Sequence, residues 1–302
     1  MNRLARKYAL ITGGSQGLGR QLAITFVKEE AAGICIVARR SEFLDEVRSR
    51  LIEINPKVKV ITISADLSRQ EDTERVVAIT LQDFNSRLDI LVNNASTIGP
   101  SPMPYLLDYP VEDFKYVINT NLIAPFLLIK KVLPAMIENG GSIINVTSDA
   151  GSTGYPGWGA YGISKFGVEG MSQTWASELQ GIGVRVNYVD PGNMNTGMHR
   201  AAEPDEDPRQ WADPAEITEV FVYLASDESK NINGKRFRAQ GDNHNDSDNN
   251  IKQLKLVSEL KKAKEEGEGR GEEYDDGAFD PLIEQRHSYQ QQLQPQHRLI
   301  VP

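Results

Sequence analysis

The feature that most constrains the fold is a glycine-rich turn between a short apolar run and an amphipathic segment near the amino terminus. Residues Tyr8–Thr12 read as a strand, and the turn Thr12-Gly13-Gly14-Ser15-Gln16-Gly17-Leu18-Gly19 leads into a helix that extends to about Glu30. Such glycines let the backbone turn tightly and approach a pyrophosphate that rests on a helix amino terminus. The turn could serve only to pack a helix on a strand, but its place after a first strand favours dinucleotide binding.

Short apolar runs alternate with helix-patterned segments over residues 1–240. Strands separated by helices indicate a parallel sheet with helices on both faces. We therefore expect an α/β fold, a Rossmann-type doubly wound parallel sheet of about seven strands. A helix is expected over Glu42–Ile54, and the strands after the first are expected at Ile34–Ala38, Val58–Ala65, Ile90–Val92, Ser142–Thr147, Val184–Val189 and Lys235–Arg238.

Residues 241–302 form a polar carboxyl-terminal extension of different composition. They contain 13 Asp or Glu and 8 Lys or Arg, and so carry five of the nine net negative charges of the chain. An apolar residue at every third position from Ile251 to Leu260 predicts a helix at 251–266, and the segments after it are typical of disorder. Two parts are thus predicted: a nucleotide-binding domain over 1–240, and a largely disordered tail over 241–302. A solvated extension is favoured over an arm that binds a partner or subunit.

Composition excludes several classes of protein. An acidic chain without a clustered basic face argues against nucleic-acid binding. The single cysteine, Cys35, lies in an apolar run and is expected in the core, so no internal disulfide is possible. No secretory signal and no apolar run of about 18 residues are seen, so a cytoplasmic protein without a membrane span is expected. Only His199 lies within residues 1–240, which argues against histidine-based hydrolases and zinc sites; no metal is expected.

The end of the second predicted strand bears on the choice of cofactor. NAD-binding domains place a carboxylate about 20 residues after the glycines, to bind the adenosine ribose. That place holds Ala38, followed by Arg39 and Arg40. A missing acid and two guanidinium groups favour the 2′-phosphate of NADP, so NADP(H) is preferred and NAD(H) stays possible. The two arginines could also merely begin a solvated helix.

A tyrosine and a lysine at helical spacing provide the candidate chemistry. Tyr161 and Lys165 are four residues apart at the start of a predicted helix, and therefore share one face. A neighbouring ammonium group stabilises phenolate, so we expect Lys165 to lower the pKa of Tyr161 into the working range of an acid or base. Ser148 ends the fifth predicted strand, where its hydroxyl could bind a substrate oxygen. A lone Tyr/Lys pair on a helix is usually surface packing. Together with a serine at a strand end and the glycine turn, the pair indicates an active site.

With these motifs, the body of the chain, over about residues 5–240, resembles the short-chain dehydrogenase/reductase family. The glycine turn matches the family's TGxxxGxG, and Tyr161 with Lys165 matches its YxxxK. Asn93-Asn94-Ala95-Ser96 is similar to its NNAG, with Ser96 in place of the last glycine. Asn121 matches its helix asparagine and Ser148 its catalytic serine. Other similar segments are Asp66-Leu67, which fits the pair beside the adenine ring, and Pro191-Gly192-Asn193-Met194-Asn195-Thr196, which resembles the PGxxxT that closes over the nicotinamide.

The resemblance implies a role for each matched residue. Tyr161 would exchange a proton with the substrate oxygen, and Lys165 would bind the nicotinamide ribose. Ser148 would polarise the carbonyl, and Asn121 would hold a water in a proton relay. The cofactor-binding residues implied by the resemblance or the glycine turn are Gly13, Ser15, Gln16, Gly17, Leu18, Gly19, Arg39, Arg40, Asp66, Leu67, Asn93, Ala95, Tyr161, Lys165, Pro191, Gly192, Met194 and Thr196.

The leading hypothesis is an NADP(H)-dependent oxidoreductase that interconverts a carbonyl and a secondary alcohol on a small molecule. The alternative is a catalytically idle dinucleotide sensor or scaffold with the same fold, and an adaptor acting through 241–302 is compatible with either. The sequence does not identify the substrate, although Gly154, Tyr155, Gly157, Trp158 and the segment 198–213 are expected to border its pocket. Asp149 is interpreted as a turn-capping aspartate. A homodimer or homotetramer is expected from the resemblance and from the apolar helix Leu122–Ile137.

Overall fold

The computed structural model describes residues 2–240 as an α/β domain built around one seven-stranded sheet. The strands lie in the order β3-β2-β1-β4-β5-β6-β7, and every neighbouring pair is parallel. The chain therefore reverses its direction of winding between β1 and β4, which is the doubly wound arrangement expected from the sequence. The strands are β1 (Tyr8–Thr12), β2 (Gly33–Ala38), β3 (Lys59–Ser64), β4 (Ile90–Asn93), β5 (Gly141–Val146), β6 (Val184–Asp190) and β7 (Arg236–Arg238).

Helices cover both faces of the sheet. The helices α3, α5 and α6 share one apolar cluster with the sheet, while α1, α2 and α8 cover the other face. Central strands are buried on both sides, as Leu10 and Ile11 of β1 are fully inaccessible, and this explains their nearly continuous apolar sequence. The helices are α1 (Gly17–Lys28), α2 (Ser41–Ile54), α3 (Gln70–Asp83), α4 (Val111–Ile118), α5 (Ala124–Asn139), α6 (Gly159–Glu178), α7 (Gly197–Ala202) and α8 (Glu219–Ala225).

The segment that contains α4 and α5 is helical throughout, because a π-helical turn, Asn119–Ile123, joins the two helices. This 29-residue segment, Val111–Asn139, is long and apolar enough to cross a membrane by length and composition alone, because it contains an 18-residue stretch with a mean hydropathy of 1.4. A core helix of an α/β domain passes the same test. Leu128, Ile129 and Val132 are buried against the sheet, so the apolar character of this helix is largely explained by the core.

The predicted strands are confirmed with shifts of one or two residues at their ends. The third strand is shorter than expected, Lys59–Ser64, and the last begins at Arg236 rather than Lys235. Cys35 is fully buried beside the Thr80 hydroxyl, and burial raises the pKa of its thiol to about 12, as fits a core cysteine. The tail over 241–302 and its expected helix at 251–266 lie outside the described residues.

Candidate active site

The carboxyl ends of β5 and β6 and the start of α6 bring Ser148, Tyr161 and Lys165 to one edge of the sheet. Ser148 follows β5 by two residues, and Tyr161 lies in the first turn of α6. Ser148 and Tyr161 line a cavity of about 250 Å³. The edge formed by the carboxyl ends of parallel strands is where doubly wound folds bind their ligands. The structure therefore brings together three residues that the sequence placed apart.

The surroundings of Tyr161 favour its protonated form. Burial raises the pKa of the phenol above its usual value, and the negative charges of Asp190 and Asp149 add to this, while a hydrogen bond with Ser148 opposes it. We expected the opposite direction from the sequence, through the positive charge of Lys165. The Lys165 ammonium lies 5.4 Å from the centre of the Tyr161 ring, and its charge does not outweigh the loss of water around the phenol.

Lys165 is buried, and within residues 2–240 most of its hydrogen-bonding capacity is unused. Its Nζ donates to the main-chain oxygen of Val146 at 2.8 Å, and the residue is only 3% exposed. Burial lowers the pKa of the ammonium to about 8, and the negative charge of Asp190 opposes the change. An ammonium group has three hydrogens. Two of them are therefore available to a ligand in front of α6.

Asn121 lies in the π-helical turn between α4 and α5, and its side chain is occupied by protein groups. Its Oδ1 accepts from the Thr97 N–H at 2.8 Å, while Nδ2 donates to the Thr97 oxygen at 2.9 Å and to Ser164 Oγ at 3.0 Å. π-Helical turns occur frequently at functional sites. Since both amide hydrogens are used, a water at this residue would have to bind one of its oxygen atoms.

A buried ion-pair network below Ser148 was not anticipated from the sequence. Arg236 in β7 contacts Glu169 of α6 at 3.0 Å and Asp190 of β6 at 3.1 Å. The same guanidinium donates to the main-chain oxygen of Ser148 at 3.0 Å, and Glu169 also accepts from the Thr147 hydroxyl at 2.8 Å. The available signal was Asp190, a carboxylate at the end of a largely buried strand, which calls for a partner.

The glycine turn joins β1 to α1 as the sequence predicted. Gly13 and Gly17 have φ angles of 67° and 53°, a region that side chains disfavour. A Cβ on Gly19 would lie 2.2 Å from the Gly13 oxygen, so the turn tolerates only glycine there. The start of α1 has no side-chain cap and no acidic residue in its first turn. Its free N–H groups and the helix dipole therefore suit an anion such as a pyrophosphate.

Two further segments pack beside this turn. Thr196 accepts from the His199 N–H at the start of α7, and its methyl group lies 3.2 Å from the position of a Cβ on Gly17. The PGxxxT-like segment thus reaches the glycine turn. The Asn94 side chain binds the Thr12 oxygen at 2.9 Å, whereas Asn93 is buried and binds Asn145 at 2.8 Å. Asn94 therefore holds the turn, and the expected contact of Asn93 with the cofactor stays a prediction.

Arg39 and Arg40 follow β2 at the same edge of the sheet. Arg39 donates to the Tyr116 hydroxyl at 2.8 Å, and Arg40 donates to Gln16 at 3.2 Å while stacking 4.1 Å above the Phe43 ring. Neither guanidinium has a carboxylate partner within residues 2–240. Two uncompensated positive charges beside an uncapped helix start fit the 2′-phosphate of NADP.

The cavity in front of Tyr161 is bordered by two of the four residues expected between Ser148 and Tyr161, but not by Gly154 or Gly157. Tyr155 and Trp158 line it, and the segment 198–213 contributes Met198, His199, Ala202, Glu203 and Glu206. Asp66 and Leu67 follow β3, where Asp66 accepts from the Ser68 N–H at 3.0 Å. Asp149 accepts from the Ala150 N–H at 2.7 Å, but the residue that caps this turn is Ser148, whose Oγ accepts from the same N–H at 3.2 Å, so the turn-capping interpretation of Asp149 is replaced.

A larger cavity of about 920 Å³ lies around Gly141 and Arg185, at the amino ends of the strands. It contains none of the four residues that matched the catalytic pattern. Within the part of the chain that the structure describes, no group of three His, Cys, Asp or Glu side chains is placed to hold a metal ion. The smaller cavity therefore concentrates the candidate chemistry.

Several known proteins are similar to this chain in sequence and in fold. A family model described as short chain dehydrogenase matches residues 7–207. A 3-oxoacyl-[acyl-carrier-protein] reductase of Thermotoga maritima is 35% identical over 247 residues, which are 77% of this chain and 96% of the relative. A short chain dehydrogenase from Salmonella enterica has a TM-score of 0.74 at 30% identity, covering 80% and 98% of the two chains. A protein of Escherichia coli CFT073, solved in complex with NADPH, has a TM-score of 0.73 at 30% identity, covering 80% and 100%.

Proposed function

Because the chain belongs to the short-chain dehydrogenase/reductase family and is an NAD(P)-dependent oxidoreductase, we propose that it interconverts a carbonyl and a secondary alcohol. The cofactor is NADP(H), and Tyr161 is the general acid and base. The observation that carries the proposal is the common cavity of Tyr161 and Ser148, with buried Lys165 behind them. When bound, the nicotinamide supplies or accepts the hydride.

Tyr161 transfers the proton to or from the substrate oxygen. A phenol with a raised pKa keeps its proton at neutral pH, so it is ready to protonate a carbonyl oxygen as the carbon becomes an alcohol carbon. In the reverse direction the phenol must lose its proton, and the Lys165 ammonium stabilises the resulting phenolate.

The remaining residues of the set orient the reacting groups. The Ser148 hydroxyl donates to the substrate oxygen, which requires it to leave Asp149, its acceptor at 2.8 Å. The free hydrogens of Lys165 bind the nicotinamide ribose. Asn121 fixes Thr97 and the Ser164 hydroxyl, and offers an oxygen atom for the relay water.

Cofactor choice follows from the two arginines after β2. Arg39 and Arg40 would hold the 2′-phosphate that distinguishes NADP from NAD, and the start of α1 would hold the pyrophosphate. The relative solved with NADPH supports this choice. Use of NAD(H) at lower affinity stays compatible with the site.

The alternative of a dinucleotide sensor or scaffold is less well supported. A sensor has no need of a tyrosine, a lysine and a serine arranged around one cavity. The test is to incubate the protein with NADPH and a panel of ketones, aldehydes and 3-oxoacyl thioesters, and to follow the absorbance of NADPH. Oxidation that depends on the carbonyl compound supports the enzyme. Tight NADPH binding without turnover of any compound supports the sensor.

We also propose a homodimer or homotetramer. The apolar sequence of the helix Leu122–Ile137 suggested an oligomer. The burial of the inner face of α5 accounts for part of this apolar character, but large apolar side chains remain exposed. Ile123, Phe126, Ile163 and Phe166 are each 38–48% exposed on α5, α6 and the π-helical turn. Such exposed apolar surface is typical of subunit contacts. The cytoplasmic location expected from the sequence stays a prediction.

A further inference from the structure

The wall of the cavity in front of Tyr161 is acidic. Of its lining residues within 2–240, Asp149, Glu203 and Glu206 carry carboxylates, and none is a lysine or arginine. A fourth carboxylate, that of Asp190, is paired with Arg236 at 3.1 Å. Three negative charges therefore border a cavity that holds the candidate catalytic residues.

Each of these three carboxylates lacks a cationic partner in the described part of the chain. Asp149 accepts only neutral donors, the Ser148 hydroxyl at 2.8 Å and the Ala150 N–H at 2.7 Å. Glu206 accepts from the indole N–H of Trp211 at 3.0 Å, and no side-chain hydrogen bond of Glu203 is formed within residues 2–240. Asp149 and Glu206 are exposed and Glu203 is half-buried, so water hydrates these carboxylates, but no cationic side chain of residues 2–240 neutralises them.

His199 lies in the same wall and does not supply the missing positive charge. Burial lowers the pKa of its imidazole below the ordinary value, although the charges of Glu206, Glu203 and Asp149 oppose the change, so the ring is neutral at pH 7. The ring packs edge-on against Trp211 at 4.3 Å, and its Nε2 is buried without a hydrogen-bond partner. All three carboxylates line the same cavity as this ring.

Aromatic side chains complete the cavity. Tyr155 and Trp158 line it, and the Trp158 ring lies 5.5 Å from the ring of Tyr161 in an edge-to-face arrangement. The face of an aromatic ring attracts an ammonium group, most strongly for tryptophan. The wall thus combines three unpaired carboxylates with aromatic rings, and both features attract a cation.

We propose that the substrate is a carbonyl compound, or the corresponding alcohol, that carries a protonated amine. The ammonium group lies against Glu203, Glu206 and Asp149 while the carbonyl oxygen lies at Tyr161 and Ser148. Anionic substrates, including thioesters on a phosphate-bearing carrier, are repelled by the same wall. The inference rests on the proposed function, because it names the substrate class of that site.

The amine takes no part in the chemistry. In the reduction, the carbonyl carbon gains the hydride and its oxygen gains the proton of Tyr161, so the ketone is reduced by two electrons while the cofactor is oxidised by two. The bonds of the ammonium group are unchanged. Its contribution is to position the carbonyl and to compensate the charge of the wall.

The test compares the aminomethyl, hydroxymethyl and carboxymethyl derivatives of acetophenone, which have similar shapes but positive, zero and negative charge. Binding is measured by tryptophan fluorescence with NADP⁺ present, so this readout does not depend on turnover. Turnover is measured separately with NADPH. We expect the cation to bind best and the anion worst, with about tenfold or more between them at low salt and less at high salt.

Charge-neutralising variants identify the residues responsible. Glu203→Gln and Glu206→Gln are each expected to weaken binding of the cation about threefold to fivefold, with little effect on the neutral compound. Asp205→Asn is the matched control, because Asp205 lies between these two residues in the chain but does not line the cavity. It should leave the binding of all three compounds unchanged.

The two proposals fail in different ways. Turnover of the compounds without any preference for the cation overturns the inference and leaves the proposed function standing. Equal effects of Glu203→Gln on all three compounds also overturn it. Charge-selective binding without turnover of any compound counts against the proposed function, and binding without selectivity or turnover overturns both.

Discussion

The guanidinium of Arg236 donates a hydrogen bond of 3.0 Å to the main-chain oxygen of Ser148. The last strand of the sheet is thereby joined directly to the residue that presents a hydroxyl to the cavity. The same guanidinium neutralises Glu169 and Asp190, whose side chains are only 11% and 8% exposed. The position of Ser148 therefore depends on a residue 88 positions further along the chain.

We expect Arg236→Met to destabilise the domain by about 3–5 kcal/mol, because it leaves two buried carboxylates without a cation. The free energy of unfolding is measured by urea denaturation. Arg209→Met is the control. The Arg209 side chain is 89% exposed, so the loss of its ion pair with Asp207 should change stability by less than about 0.5 kcal/mol. Adding Glu169→Gln and Asp190→Asn to Arg236→Met should recover part of the loss. An unchanged stability of Arg236→Met would contradict the network.

Tyr161→Phe is expected to remove nearly all turnover and to leave NADPH affinity close to that of the unmodified protein. The reason is that the phenol hydroxyl transfers the proton, whereas the dinucleotide is held by other groups. Steady-state rates and a fluorescence titration with NADPH are the measurements. Tyr105→Phe, at a tyrosine that is 66% exposed, should keep full activity. Substantial activity of Tyr161→Phe at any pH would refute the assignment.

Lys165→Met should change how stability depends on pH. Burial lowers the pKa of Lys165 to about 8, so the folded state binds fewer protons than the unfolded state between about pH 8 and the ordinary pKa of 10.5. The cost of the buried charge is fully present below pH 8 and is lost as the pH rises through that window. The stability of the unmodified protein relative to Lys165→Met should therefore rise by up to about 3 kcal/mol. Thermal melting of both proteins from pH 7 to 10.5 measures it, and a constant difference would be the contrary result.

Arg39→Ala is expected to weaken NADPH binding about tenfold or more and to affect NADH much less. Only NADPH has a 2′-phosphate, and the loss of one charge-assisted contact costs about 1.5–3 kcal/mol. Titrations with both cofactors measure the effect. Arg48→Ala, at an exposed position on α2, is the control and should change neither affinity. Equal losses of affinity for NADPH and NADH would show that Arg39 does not bind the 2′-phosphate.

A chain that ends at Asp242 should still fold, bind NADPH and keep its turnover per site. Residues 2–240 contain the whole sheet and all four candidate catalytic residues. Residues 241–302 have few large apolar groups, and such a segment cannot offset its own ordering entropy. Thermal melting, NADPH titration and light scattering compare the two proteins. We expect the same dimer or tetramer in both. A fall of more than several degrees in Tm would show that the folded domain extends beyond residue 242.

The fold and the matched residues could be predicted because their signals are local. Alternating apolar runs, a glycine turn and a Tyr/Lys pair each occupy a few consecutive residues. The network of Arg236 could not, because Glu169 and Asp190 are 67 and 46 positions away and meet it only through the order of the strands. Nor could the sequence tell which of Asn93 and Asn94 faces inward, since a strand buried on both faces shows no alternation.

The end of β7 has a further consequence. After Arg238 the chain stays at the carboxyl edge of the sheet, where the Gln240 amide donates to the main-chain oxygens of Pro191 and Asn193 at 2.7 and 2.9 Å. The polypeptide therefore leaves the described domain beside the segment that borders the cavity. A fluorescent reporter or a second enzyme fused shortly after Gln240 would be tethered at the mouth of the cavity, at a high effective concentration.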